Sequence, residues 1–427
     1  MAKNSSVKFV LLRVAAGVIL LNLALFAQAQ SDRLPPASAA NLVGTKYAAM
    51  LTKEQINARV KKAFSRDLPA AGADVDLYKI TYRSTNLKGA KVVLSGLIAL
   101  PKEAPRGLVV FNHGTTHDLN LSPSRYAGQD NASEAALAVL AFASGGYAVA
   151  MPDYLGLGDD KTTFHPYPLA AVNNRSAIDL IEPARAFAAR RGVAVGPRLF
   201  ITGYSEGGAV AMWTIKNLEK RAGPFYRVTA GAPLSGPYDL SGTTRRWLLA
   251  PETDQEGFVV RLYLLSYMVQ SFHKNKGIKL TDYLKPSMAF TVAQAYKTHR
   301  KDEDIIKRLA VAAVLMRARN SLANVLTPRF VKALQNTDLD DPVIRELKNS
   351  DVYDWSPTTR MLLVNLEDDK VVDAGNTDAA YRAMRNRGIG NEILRRHIIR
   401  DPNLNHLTAV APALLQARLF FDEFSIN

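Results

Sequence analysis

The chain has 427 residues, of which 48% are hydrophobic and 22% charged, and its formal net charge is +15. This length fits one large α/β domain with an insertion, or two domains. The absence of cysteine excludes disulfides, thiolate metal sites and a lipidated cysteine. The basic residues are scattered and aromatic residues do not interleave them, which predicts a cationic surface suited to anionic envelopes and argues against a nucleic-acid partner.

The first 29 residues have the pattern of a secretory signal. Three basic residues come early, residues 14–26 form an apolar core too short for a comfortable membrane span, and Ala27-Gln28-Ala29 fits a small-x-small cleavage site. We therefore predict a signal peptide over residues 1–29 and a protein that is secreted or periplasmic. A retained N-terminal anchor is the alternative.

Eight segments have the apolar or alternating pattern of β-strands. The first two form an antiparallel pair, and helices alternate with the strands from the third onward. The predicted strands are residues 75–82, 91–100, 107–111, 147–151, 198–202, 227–233, 361–366 and 392–399. This alternation predicts an α/β fold with a doubly wound, mainly parallel eight-stranded sheet.

The long stretch between the sixth and seventh predicted strands is too long for a loop and has helical patterning. We predict that residues 240–358 form a helical cap inserted into a core made of residues 75–239 and 359–427. Residues 30–74 form an N-terminal segment with a short helix. A second, purely structural domain is the alternative to the cap.

The sequence Gly203-Tyr204-Ser205-Glu206-Gly207 follows an apolar strand and precedes a helix. A Gly-x-Ser-x-Gly pattern at such a turn is typical of a nucleophile elbow, where a sharp turn lifts the serine hydroxyl out of the sheet. The pentapeptide alone occurs by chance in about one chain in ten of this length. Its strand–turn–helix context makes Ser205 the candidate nucleophile, which then needs a base and an orienting acid.

The base is expected after the last strand if the order is serine, acid, histidine. His397 lies inside the last predicted strand, whereas His406 follows it in a loop at the carboxyl edge, where active residues of such sheets collect. We therefore predict His406 as the base. For the acid we favour Asp369, at the turn after the seventh strand, over its neighbour Asp368 and over Asp239.

The oxyanion formed in acyl transfer needs two preorganised donors. We predict the backbone N–H of Glu206, at the start of the elbow helix, and that of Thr115, in the turn after the third strand. His113 is expected to support that turn. No cofactor is predicted, and His113 with His117 alone makes a poor metal site.

Together the elbow, the His113-Gly114 turn, the Asp369 turn and His406 resemble the α/β-hydrolase superfamily. Within it, Pro152-Asp153-Tyr154-Leu155-Gly156-Leu157-Gly158 and Phe164-His165-Pro166-Tyr167 look like secreted lipase-like serine esterases. The resemblance implies hydrolysis of carboxylic esters through an acyl-serine intermediate, without a cofactor. The sequence departs from the family in having Glu206 where glutamine is common and Asp373 where proline is usual.

The leading functional hypothesis is therefore an exported serine esterase or lipase that acts on small-molecule or lipid esters. The alternatives are a carbohydrate-linked acetyl or feruloyl esterase, a serine peptidase of the prolyl-oligopeptidase kind, and a hydrolase-fold binding protein without chemistry. The short segment before the first predicted strand argues against the peptidase, since it leaves no room for a large propeller domain. The pattern leaves the acyl chain length and the oligomeric state open.

Overall fold

A computed structural model describes residues 37–64, 68–251, 255–298, 300–318 and 321–425. The predicted signal peptide, residues 1–29, lies outside these ranges. No helix within these ranges is both long enough and apolar enough to cross a lipid bilayer.

Within the described residues, the core is one sheet of nine strands in the order β1-β2-β3-β5-β4-β6-β7-β8-β9. The strands are β1 (Leu42–Leu51), β2 (Val75–Thr85), β3 (Lys91–Pro101), β4 (Leu108–Asn112), β5 (Ala148–Pro152), β6 (Leu199–Tyr204), β7 (Ala230–Leu234), β8 (Arg360–Leu366) and β9 (Leu394–Ile399). The pairs β1–β2, β2–β3 and β3–β5 are antiparallel, and all pairs from β5 to β9 are parallel. The predicted fold class is thus confirmed.

The predicted strand number is wrong by one, because β1 was not recognised. This strand lies at the edge of the sheet and pairs with β2, and its register shifts twice, between Leu42 and Gly44 and between Tyr47 and Ala49. Both shifts break the two-residue alternation on which strand prediction relies. The additional strand, β1, extends the antiparallel edge of the sheet, away from the carboxyl ends of β4 and β6.

Thirteen α-helices surround the sheet or lie in the insertion. They are α1 (Lys53–Ala63), α2 (Glu134–Phe142), α3 (Ala170–Arg190), α4 (Glu206–Leu218), α5 (Arg245–Leu249), α6 (Gln255–Lys276), α7 (Leu280–Tyr283), α8 (Pro286–Ala295), α9 (Asp302–Leu315), α10 (Pro328–Asn336), α11 (Pro342–Asn349), α12 (Gly375–Asn386) and α13 (Val410–Asp422). This count covers the described residues.

Neighbouring residues of the central strands point to opposite faces of the sheet, as strand geometry requires. Val109 and Phe200 pack in one hydrophobic cluster with residues of α1, α2 and α13. Val110 and Ile201 pack in a second cluster with residues of α3, α4 and α12. The sheet is therefore buried on both faces, which explains the nearly continuous apolar runs of its central strands.

The segment between β7 and β8 is helical and contains α5 to α11. Its helices share a third hydrophobic cluster, whose members include Leu262, Leu265, Met268, Ile305 and Phe330. We call residues 240–349 the helical insert. Its function as a cap stays a prediction.

Candidate active site

Ser205 occupies a sharp turn between β6 and α4, with backbone angles φ 58° and ψ −124°. A non-glycine residue at positive φ is uncommon and is typical of strained functional turns. A Cβ on Gly203 would lie 2.3 Å from the carbonyl oxygen of Gly207, and one on Gly207 would lie 2.0 Å from that of Asn112. Both glycines are therefore required for the close approach of α4 to β6 and β4.

The side chains of Ser205, His406 and Asp369 form one hydrogen-bonded chain. Ser205 Oγ lies 2.9 Å from His406 Nε2, and His406 Nδ1 lies 2.7 Å from Asp369 Oδ2. Because an ionised carboxylate only accepts, Nδ1 carries the proton and Nε2 is left to accept from the serine hydroxyl. This is the tautomer that a general base beside a serine nucleophile needs.

The turn after β8 holds Asp369 in place through its other oxygen. Asp369 Oδ1 accepts the backbone N–H groups of Val371 and Val372, each at 2.9 Å. Asp368 points elsewhere: its side chain is 79% exposed and forms an ion pair with Lys370. The structure therefore brings Asp369, and not Asp368, to His406.

Asp239 and His397, the other candidates for the acid and the base, have structural positions. Asp239 caps the helical turn that follows it, because its carboxylate accepts the N–H groups of Gly242 and Thr243 at 3.0 and 2.8 Å. His397 lies within β9, as the sequence predicts. The loop that carries His406 is fixed by Tyr204, whose hydroxyl donates to the His406 carbonyl oxygen at 2.6 Å.

The turn after β4 lies over the elbow and is supported from the loop after β5. The hydroxyl of Tyr154 donates to the carbonyl oxygen of His113 at 2.9 Å, and the two rings stack with centroids 4.2 Å apart. His113 is buried, and its ring nitrogens lie against the carbonyl oxygens of Gly114 and Asp153. Burial lowers the pKa of His113, and the contacts with the two carbonyl oxygens act in the opposite direction. Thr115 follows this turn and lines the same cleft as Ser205.

The side chain of Glu206 is buried beside the elbow in a network that the sequence analysis missed. Its Oε1 lies 2.9 Å from His165 Nε2 and accepts from Asn173 Nδ2 at 3.0 Å. His165 Nδ1 lies 2.9 Å from the Leu155 carbonyl oxygen, so Nδ1 must donate there. The buried carboxylate of Glu206 is thus partnered by both His165 and Asn173. The Phe164-His165-Pro166-Tyr167 motif contained the signal, but nothing in the sequence linked it to Glu206.

A cleft opens at Ser205 between the sheet edge and the helical insert, and its walls are mainly apolar. Its polar members include Ser205, Thr115, Glu206, Thr244 and Asp373. The apolar side chains come from the loop before α3, from the segment after β7, from the helical insert and from the turn after Asp369: Tyr167, Pro168, Pro237, Leu240, Trp247, Leu248, Leu264, Leu265, Met268, Leu347, Val371 and Val372. Such a lining fits a hydrophobic group attached to the reacting bond.

Within the described residues, no three histidine, aspartate or glutamate side chains are grouped so that they could hold a metal ion. The chain of hydrogen bonds from Ser205 through His406 to Asp369 is an arrangement that can supply nucleophilic attack by serine with a histidine base.

Several solved structures superpose on nearly the whole described chain. A hydrolase-like protein of Legionella pneumophila is 26% identical, with a TM-score of 0.75 over 90% of this chain and 98% of that one. The rice cell wall degrading esterase LipA of Xanthomonas oryzae is 21% identical, with a TM-score of 0.75 over 91% and 100%. Candida antarctica lipase A is 13% identical, with a TM-score of 0.62 over 91% and 84%.

The chain has the α/β-hydrolase fold. The predicted resemblance to lipase-like esterases is confirmed at the level of the fold. The prolyl oligopeptidase family matches residues 133–259, a part of the hydrolase fold that contains the elbow but neither Asp369 nor His406. No curated protein matches the chain. Together the family match and the structural likenesses support a hydrolase.

One further carboxyl group contacts the turn after β4. Glu134, in the first turn of α2, accepts the backbone N–H of Gly114 at 2.8 Å. A Cβ on Gly114 would lie 2.5 Å from Glu134 Oε1, so the turn is packed directly on the carboxyl group. Burial raises the pKa of Glu134 to about 7, opposed by the hydrogen bond from Gly114 and by His406. Glu134 thus holds the turn that precedes Thr115.

The raised pKa of Glu134 predicts a loss of stability on raising the pH. The folded chain binds this proton more tightly than the unfolded chain, so stability is highest below the ordinary value of 4.5 and falls until about 7. In Glu134→Gln the amide oxygen can still accept from Gly114 but cannot ionise. We expect its melting temperature to match the parent's at pH 5 and to exceed it at pH 8, as measured by thermal unfolding.

Glu134→Ala is the companion variant, because it removes the acceptor of the Gly114 N–H at every pH. We expect it to lower the turnover of an ester, whereas Glu134→Gln retains most of it. An identical pH dependence of melting in the parent and in Glu134→Gln would contradict a Glu134 proton that titrates near neutrality.

Proposed function

We propose that this protein is a serine esterase of the lipase-like type that cleaves carboxylic esters with a hydrophobic acyl group. The single observation that supports it best is the Ser205–His406–Asp369 hydrogen-bonded chain at the base of an apolar cleft. The likeness to an esterase and a lipase points to the same chemistry.

In the proposed mechanism, Ser205 Oγ attacks the ester carbonyl carbon while His406 Nε2 takes its proton. The backbone N–H groups of Glu206 and Thr115 stabilise the oxyanion of the tetrahedral intermediate. His406 then returns the proton to the leaving alcohol, and Ser205 is left acylated. A water molecule attacks the acyl-serine, again with His406 as the base, and releases the acid.

Asp369 would stabilise the imidazolium that forms in both steps. It can do so because it is buried and keeps its orientation through two backbone donors, Val371 and Val372. The carboxylate of Glu206 lies close to the reacting atoms, but its bonds to His165 and Asn173 restrain it. We therefore propose that Glu206 contributes its amide and not its side chain.

The apolar wall formed by α6 provides a test of the substrate class. Leu264, Leu265 and Met268 of this helix line the cleft. Burial of each acyl methylene contributes at most about 0.8 kcal/mol, or about fourfold in kcat/KM. We expect kcat/KM for p-nitrophenyl esters to rise from acetyl to medium-chain esters. Leu264→Asp, at a half-buried position, is expected to flatten that rise while acetyl ester hydrolysis changes little.

The matched control is Val260→Asp, one helical turn earlier on α6, since Val260 is also half-buried but does not line the cleft. We expect it to leave the chain-length profile unchanged. An unmodified protein whose activity peaks at the acetyl ester would favour a carbohydrate-linked acetyl esterase and would remove the acyl-pocket proposal.

A serine peptidase is the second candidate, because the prolyl oligopeptidase family matches the elbow region. The same catalytic chain can cleave an amide, so the geometry does not separate the two reactions. Turnover of p-nitrophenyl esters and of proline-containing peptide p-nitroanilides, compared in one preparation, separates them. Faster cleavage of the anilides would replace the ester proposal.

We propose further that the protein acts outside the cytoplasm, on the basis of the signal pattern in residues 1–29. Expression of the full chain in a bacterial host, followed by N-terminal sequencing of the protein from the periplasm and the medium, tests this. Cleavage after Ala29 is the expected result.

A further inference from the structure

Two helices of the insert expose a cluster of large hydrophobic side chains. Phe290 of α8 is 68% exposed, and Val311, Val314 and Leu315 of α9 are 60%, 63% and 79% exposed. We call these four residues the hairpin patch. Phe290, Val311 and Leu315 line one shallow groove, so the two helices present them together. Isolated exposed hydrophobic residues are normal, whereas a contiguous group indicates a contact surface.

The inward packing of α9 explains why this surface faces solvent. Ile305, Leu309 and Ala313 are buried at four-residue spacing in the cluster of the insert. At 3.6 residues per turn, Val311 and Leu315 lie on the opposite side of the helix. Val311 and Leu315 therefore do not contribute to the core of the insert, and packing within the insert does not explain why these positions are hydrophobic.

The groove of the hairpin patch also carries positive charge. Arg300, Lys307 and Arg308 line it, and no acidic residue does so within the described chain. Lys307 and Arg308 lie one turn before Val311 on the exposed side of α9. The acidic residues Glu303 and Asp304 lie a further turn away, at the start of the helix. Basic residues thus border the apolar end of α9.

We infer that the hairpin patch docks on an anionic lipid surface. An apolar face beside lysine and arginine is what binds the boundary between headgroups and acyl chains of an anionic bilayer. A second copy of the chain is a poorer occupant, because it would bring a second set of the same basic residues against the first. This docking does not depend on the proposed esterase chemistry and is measured without turnover.

The test is co-sedimentation of the full chain with vesicles of phosphatidylcholine alone, or with about a third of the lipid as phosphatidylglycerol. We expect binding to the anionic vesicles only, weakened by added salt. Each basic residue near such a surface contributes about fivefold in affinity, so Lys307→Gln/Arg308→Gln should bind about 25-fold more weakly. Lys220→Gln/Lys332→Gln, exposed lysines outside the groove, is the charge-matched control and should lose much less.

The apolar contribution is tested with Phe290→Ser/Leu315→Ser, which keeps the charge unchanged. We expect at least about a tenfold loss of vesicle affinity, because two large side chains no longer enter the lipid. Leu121→Ser/Leu339→Ser is the matched control, since these leucines are 51% and 49% exposed elsewhere on the chain. Thermal unfolding of each variant verifies that it is folded.

Three outcomes would overturn the inference. The first is that the patch variants bind anionic vesicles as tightly as the parent or no more weakly than their controls. The second is that the parent binds neither type of vesicle, or both equally. The third is a dimer in sedimentation velocity that Phe290→Ser/Leu315→Ser dissociates, which would assign the patch to a contact between copies.

Discussion

Replacing Ser205 by alanine is expected to lower kcat/KM for a p-nitrophenyl ester by about a million-fold while the protein stays folded. The hydroxyl oxygen Oγ is the one non-hydrogen atom lost, and it lies 2.9 Å from His406 Nε2. Alanine has the same Cβ, so the backbone strain at φ 58° is unchanged. Steady-state kinetics with the parent and the variant, together with thermal unfolding, measure both parts of the prediction.

Ser235 is the matched control for this substitution. It is a buried serine directly after β7 with a positive φ of 43°, whereas it is the hydroxyl of Ser205 that lies against His406. Ser235→Ala is expected to retain most of the activity. A fluorophosphonate probe should label the parent at Ser205 and leave Ser205→Ala unlabelled. A folded Ser205→Ala protein with near-normal turnover would rule out the acyl-serine mechanism.

The sequence was informative about the edge of the sheet where the candidate site lies. Ser205, Asp369 and His406 each follow a strand of the parallel part, and the carboxyl ends of parallel strands meet at one edge. Chain order and local context were therefore enough to bring these three side chains together. The choice between Asp369 and Asp368 was less certain from sequence, because adjacent residues of a turn differ only in direction.

What the sequence did not reveal depends on contacts between distant segments. Glu134 reaches Gly114 from α2, and His165 reaches Glu206 from the loop before α3. No spacing along the sequence predicts either contact, because the chain between the two partners is neither one helix nor a hairpin of fixed register. The hairpin patch was also missed, since α9 has apolar residues on two faces and only its packing separates them.

The turn after β8 supports a second large effect, the expected loss of about 10⁴-fold in kcat for Asp369→Asn. In this variant the amide oxygen can still accept the N–H groups of Val371 and Val372, which keeps the turn in place. The amide nitrogen then faces His406 Nδ1 and donates to it. His406 must carry its proton on Nε2, which can no longer accept the proton of Ser205. Comparison of kcat with that of the parent measures the effect.

Two neighbouring carboxylates serve as controls because each has a different partner. Asp368→Asn removes only an exposed ion pair with Lys370, so activity should stay within about twofold, as expected for a solvent-exposed pair. Asp239→Asn weakens the cap at Gly242 and Thr243 and should lower the melting temperature more than kcat. Large activity loss in Asp368→Asn with an active Asp369→Asn would assign the acid to Asp368. The hydrogen bond between His406 Nδ1 and Asp369 would then serve only to fix the loop. An active Asp369→Asn variant would mean that His406 still takes the serine proton without the Asp369 carboxylate.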